Sequence, residues 1–237
     1  MEAPESLSIA DLKRQLEDLW QLVDTVVGQA IECLVKRDLL LAKAVIGADE
    51  QIDQQEVRIE AACIRLLERQ RPVGEDLRRV VAILKINDGL ERVGDLAENI
   101  ADIVVQVADW ERFKRVGGCD QLGSAARTMV QRALRAMTKE DVRLAEEVIG
   151  NDAHVDHLQA GIRQRIEEEI ELYPENAMPL LKLEYVTRQL ERIGDLATNM
   201  AEEVITMVEG KIVRHDHRLL ERIHRQGEDM SNFRRIL

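Results

Sequence analysis

The chain has 237 residues, of which 45% are apolar and only 3% aromatic, with four prolines and a net charge of −12. A core so poor in aromatics is built from Leu, Ile, Val and Ala, as in helical bundles, and the scarcity of turn residues disfavours an all-β fold. The negative charge argues against a general nucleic-acid binder, while an excess of carboxylates suits hard cations.

The first predicted helix is "SIADLKRQLEDLWQLVDTVVGQAIECLVK". Leu12, Leu16, Leu19, Val23, Val26, Val27, Ala30, Ile31 and Leu34 recur at three and four, one face of a helix. Ser8 is placed to cap it, with Asp11 at the capping-box position. A second helix is expected from about Asp38 to Gln70, and a third from about Gly74 to Phe113. The paired glycines of "RVGGCDQLG" (115–123) then break the pattern. Further helices are expected near 122–137, 140–172 and 176–209.

The two sets of three helices are copies. "KRDLLLAKAVIGADEQID" (36–53) is matched by "TKEDVRLAEEVIGNDAHVD" (138–156), with Asp49 and Asp53 falling on Asp152 and Asp156. "LERVGDLAENIADIV" is matched by "LERIGDLATNMAEEV", placing Glu91 and Asp95 on Glu191 and Asp195. The offset drops from 103 to 100 between these pairs, a gap that belongs at the turns around Pro72 and Pro174. The expected fold is all-α: two antiparallel three-helix bundles in tandem, 1–117 and 118–215, with a basic extension over 216–237 that is expected to be helical. From Lys211 onward there are seven Lys/Arg against four Asp/Glu, and three of the five histidines, His215, His217 and His224. This stretch reads as a solvated basic helix.

The repeated motif poses a question of charge. On a wheel at ~100° per residue, Asp88, Glu91, Asp95, Glu98 and Asp102 share an arc of ~80°, opposite Val93, Leu96, Ala97, Ile100 and Val104. A charge row on an amphipathic helix is ordinarily only solvated. Here the acids stand at i and i+4 without a lysine, which costs roughly 0.2–0.5 kcal/mol per pair. Eight of twelve positions in 91–102 and 191–202 are also identical, and the polar Glu91, Arg92, Asp95 and Asn99 repeat where core positions drift. A partner row, Asp49 and Asp53 continued by Glu56 and Glu60, lies on the preceding helix. Antiparallel packing of the two helices would gather Asp49, Asp53, Glu91 and Asp95 in one bundle and Asp152, Asp156, Glu191 and Asp195 in the other. Glu98, Asn99, Asp102, Asn199 and Glu202 would be neighbours of these clusters. Clustered carboxylates repel, and a bound cation offsets that directly. Oxygen-only donors favour Mg, Mn, Ca or iron over a structural zinc site. Gly94 and Gly194, costly inside helices, would allow close helix approach beside the acids.

These residues resemble the PhoU family of phosphate-uptake regulators, whose pattern is a duplicated three-helix bundle with an E(D)xxxD signature in each repeat. Glu91–Asp95, Glu191–Asp195, Asp49–Asp53 and Asp152–Asp156 match that signature, and "MVEGKIVRH" resembles the usual end of the sixth helix. The resemblance runs from about residue 8 to 215. It implies a non-enzymatic cytoplasmic regulator that holds metal clusters on its surface, with iron, manganese, magnesium or zinc as candidate ions. It further implies negative regulation of phosphate uptake, coupling of a Pst-type transporter's ATPase subunit to a sensor histidine kinase, and self-association, as a homodimer. Asp88 becomes Arg188 and Glu98 becomes Thr198, so the second site carries less negative charge.

Cys33, Cys63 and Cys119 lack CxxC spacing and read as reduced thiols of a cytoplasmic protein. The N-terminus is acidic and then amphipathic, unlike a signal peptide, and no apolar run approaches the ~18 residues of a membrane span. Docking on a membrane complex stays open. Two other classes compete. One is a non-catalytic scaffold without metal. The other is a metal-dependent carboxylate-bundle enzyme, which the absence of Glu-x-x-His, P-loop and GxSxG motifs disfavours.

Overall fold

A computed structural model describes residues 7–107 and 116–213. The described residues contain helices and no strand: α1 (Ile9–Lys36), α2 (Leu39–Gln70), α3 (Glu75–Gln106), α4 (Cys119–Lys139), α5 (Val142–Gly150), α6 (Asp152–Leu172) and α7 (Ala177–Glu209), with a 3-10 turn at Pro174–Asn176 before α7. None of these helices is long and apolar enough to cross a membrane. The basic extension, with His215, His217 and His224, lies outside the described residues, as does the expected end of the third helix at Phe113.

Local chemistry sets the helix ends. Ser8 and Asp11 form a reciprocal capping box on α1. Asp38 accepts from the N–H groups of Leu40 and Leu41, both at 3.0 Å, to start α2. Its duplicate, Asp141, accepts from Leu144 N–H at 3.1 Å to start α5. Each preceding helix closes on a left-handed residue, Arg37 (φ 60°) and Glu140 (φ 52°).

The expected helix over 140–172 is two helices. Gly150 and Asn151 are weak helix formers in sequence, and Asn151 Nδ2 turns back to the Glu147 carbonyl at 2.6 Å. α6 therefore starts afresh at Asp152. The equivalent stretch of the first repeat, Gly47-Ala48, stays inside the continuous α2.

α1, α2 and α3 form one bundle, and α4, α5/α6 and α7 the other. The bundles join through α1 with α4 and α3 with α7. Both pairings are antiparallel. Arg78 Nε donates to the Met207 carbonyl at 3.0 Å where α3 begins, and Lys182 reaches Gln106 at 3.3 Å where it ends. Arg127 forks onto Asp24 at 2.7 and 2.8 Å across α1 and α4. Glu140 receives Lys13 at 2.8 Å and Arg79 at 2.9 and 3.1 Å. The predicted apolar face of α1 is buried, apart from half-buried Ile31.

The motif helices are the central ones. α3 packs against α1, α2 and α7, and α7 against α3, α4, α5 and α6. So many partners bury residues around most of each helix, including polar Asn87, Thr187, Gln189, Glu202 and Glu203.

Candidate metal centre

The wheel places the acid row of α3 opposite its apolar stripe; in the structure Glu91, Asp95 and Glu98 are half-buried along the α2–α3 groove, while Asp88 and Asp102 are exposed. Gly94 is what brings α2 so close, since a Cβ there would stand 2.8 Å from Ile52 Cδ1. Ile52 sits between the two acids of α2, so the seat of its side chain sets where Asp49 and Asp53 fall.

One ligand oxygen from each of Asp49, Asp53 and Asp95 lies within 4.8 Å of the others, with Asp49 and Asp95 half-buried and Asp53 exposed. Asp49 Oδ1 is buried and has no hydrogen-bond donor. Burial first, then the charges of Asp53 and Asp95, raise the Asp49 carboxyl above its usual range. Burial and Asp53 do the same to Asp95, against a small opposing effect of Arg92. Glu91 stands one turn from the triad, raised to about 7 by burial and by Asp95, Asp53, Asp88 and Glu56. Glu98 closes the other end, raised by burial and then by Asp49, Asp102, Asp95 and Asp53. Arg92, 3.9 Å from Asp88, is exposed and within the triad acts on Asp95, whose carboxyl stays raised. Asn99 turns its amide to the Asp95 carbonyl at 2.8 Å.

The second groove is built differently. Asp152, Asp156, Glu191 and Asp195 line it, and burial followed by mutual repulsion raises Glu191 and Asp195. Among the described residues, no three of these carboxylates converge as tightly as the first triad. Asp152 opens α6, where the helix dipole favours a negative charge, and accepts the Thr198 hydroxyl at 3.1 Å. Arg188, in place of Asp88, pairs with Glu184 at 2.8 Å. Asn199 is exposed, whereas Glu202 is buried on the side facing neighbouring helices. The two described histidines, His154 and His157, are both exposed.

The first groove fits a cation. Its donors are all oxygens, three converge, and one buried oxygen lacks a donor. Asp49, Asp53 and Asp95 would hold the ion, and its charge would relieve the repulsion that raises their carboxyls.

Together, the helices and the acid-lined grooves define a duplicated three-helix-bundle protein. The PhoU domain family model matches residues 16–104 and 120–204, and the chain belongs to that family. It is 34% identical over 209 residues to a phosphate-specific transport system accessory protein PhoU homolog of Aquifex aeolicus, spanning 88% of this chain and 95% of that one. It is 35% identical to the Pseudomonas aeruginosa homolog, over 87% of this chain and 86% of the relative. The crystal structure of PhoU from Pseudomonas aeruginosa superposes with a TM-score of 0.80 at 33% identity, covering 85% of this chain and 97% of the other. PhoU from Streptococcus pneumoniae gives 0.77 at 26% identity, over 86% and 97%.

Sequence reasoning missed one residue of the first groove. Asn87, buried on α3, donates to Glu56 of α2. The signal was available as a polar residue flanked by Ile86 and Leu90 on the apolar stripe of α3.

Proposed function

We propose that this chain is a cytoplasmic accessory regulator of a phosphate-specific transport system, which binds divalent or trivalent metal ions in its acid grooves. In this reading it restrains phosphate uptake by contacting the transporter's ATPase subunit and a sensor histidine kinase, and it works as a homodimer. Membership of the PhoU family supports the transport-accessory role. The metal reading is carried by one observation: Asp49 Oδ1, buried without a donor beside Asp53 and Asp95. A polar atom buried in that way costs about 1–3 kcal/mol unless something satisfies it.

Metal would matter for regulation through charge. With a cation held, the groove's negative charge is reduced by the charge of the ion; without it, the full negative charge stays concentrated. A docking partner would distinguish these states electrostatically.

The test pairs anomalous diffraction from crystals grown with Mn2+ or Fe2+ with capture of the ATPase subunit and kinase. Metal density between Asp49, Asp53 and Asp95 is expected, together with loss of capture when Asp49, Asp53, Glu91 and Asp95 are all changed to Ala. Metal-free crystals and undiminished capture would leave a scaffold whose acids only keep it soluble.

A further inference from the structure

The opening of α3 carries an apolar stripe on the outside of the protein. Val73 stands just before the helix, and Leu77 and Val81 follow one turn apart on it. All three are exposed, Val73 to 81%. The chain leaves the described fold at this same end. α7 closes on Gly210, whose left-handed backbone (φ 72°) lies so near α3 that a Cβ there would stand 3.4 Å from Arg78 Cζ. Arg78 Nε also donates to the Met207 carbonyl at 3.0 Å. Ile212 is then exposed and Val213 buried. Residues 214–237 therefore set out beside Arg78, within a turn of both Leu77 and Val81.

Their sequence suits that surface. On a helical wheel Leu219, Leu220 and Ile223 fall within an arc of ~100°. Arg218, Arg222 and Arg225 are interleaved with them, in a segment with seven Lys/Arg against four Asp/Glu on a chain of net charge −12. The stripe it would meet is bordered by exposed Glu75 and Asp76, with exposed Asp88 two turns beyond Val81. Apolar side chains thus face apolar ones, and basic groups face acids.

Size and reach favour an occupant from the same chain. A stable interface between separate chains takes about 20–30 residues a side, far more than this stripe offers. Leu219 lies six residues past Val213, a reach of up to about 20 Å. So short a tether gives an effective concentration in the millimolar range, at which a few buried side chains suffice.

We propose that the segment 214–237 docks back on its own chain, laying Leu219, Leu220 and Ile223 on Val73, Leu77 and Val81, with its arginines drawn by the acids of α3.

The test is hydrogen exchange of the full chain, followed by mass spectrometry. Amides of 217–226 are expected to exchange at least about tenfold more slowly than in an unfolded chain. Leu77→Lys, an exposed change that meets the basic segment with like charge, is expected to abolish that protection. Ile223→Glu is expected to do the same and to speed exchange at 78–82. Leu181→Lys alters the corresponding position of the second repeat, about 44 Å back along α7 from Gly210. That is beyond the ~33 Å that the ten residues from Val213 to Ile223 span when extended, so protection should stay. Thermal melts show that each variant folds, and Ile223→Glu, outside the described helices, decides if Leu77→Lys does not. Unprotected amides at 217–226 in the unaltered chain, or protection that survives both Leu77→Lys and Ile223→Glu, would overturn the inference. Protection that grows with chain concentration, alongside a dimer in sedimentation velocity, would put a second copy on the stripe and overturn it too.

Discussion

Ile52 and Gly94 are in such close contact that a single added Cβ at residue 94 would reach 2.8 Å from Ile52 Cδ1 and 3.3 Å from its Cγ2. The glycine thus defines the spacing of the α2–α3 groove. Gly94→Val should destabilise the chain by about 1–3 kcal/mol through overpacking. Because Ile52 is flanked by the acids, it should weaken Mn2+ binding to the first groove as well. Gly194→Ala, whose nearest neighbour is Val155 at 3.2 Å, should be milder in both respects. Urea unfolding and calorimetric titration measure the two effects.

Removing Asp49 should act oppositely with and without metal. In the metal-free chain, Asp49→Asn relieves repulsion from Asp53 and Asp95 and should hold or raise the melting temperature. With Mn2+ at a hundred times its dissociation constant, the unaltered chain should gain about 2.7 kcal/mol. Most of that gain should vanish in Asp49→Asn. Thermal melts with and without Mn2+ show whether the curves cross.

Glu140 makes a separate prediction about pH. Hydrogen bonds from Arg79 and then Lys13 hold its carboxyl at about 2, below its ordinary value of 4.5. The folded state therefore prefers the ionised form. That stability is complete above about pH 4.5 and is lost as pH falls toward 2. Glu140→Gln should cost about 1–2 kcal/mol at pH 7, an amount reduced by the partial exposure of the pair. The difference from the unaltered chain should shrink steadily below pH 4.5 in denaturant melts.

Thr198 should tune the second groove. Thr198→Val removes the 3.1 Å bond to Asp152 and should cost about 1 kcal/mol. Thr198→Glu recreates the acid that Glu98 supplies in the first groove. It should lower the metal-free melting temperature and enlarge the Mn2+-induced rise. A Mn2+-induced rise no larger than that of the unaltered chain would mean that the added carboxylate meets no ion.

The cap at Ser8 and the apolar face of α1 were legible in the sequence because each depends on residues within a turn or two of one another. The pairing of Asp49 and Asp53 with Asp95 was legible for a different reason: the copies repeat both halves of it at matching offsets. The break at Asn151 was hidden, since the first copy runs through the same position without interruption. Half-burial of Glu91 and full burial of Glu202 were hidden too. Both follow from the neighbours of α3 and α7, which no wheel drawn for one helix includes. Asn87 falls between these cases: its misfit on an apolar stripe was visible, but its partner on α2 was not.

The antiparallel joining of α3 to α7 and α1 to α4 has one more consequence. Arg78 reaches the far end of α7 just as Lys182 reaches the far end of α3. Like meets like in reverse, the pattern of a twofold dimer interface. The two repeats thus meet through equivalent surfaces, yet their grooves differ: one carries Glu98, Asn87 and Glu56 where the other carries Thr198, Thr187 and Gln159.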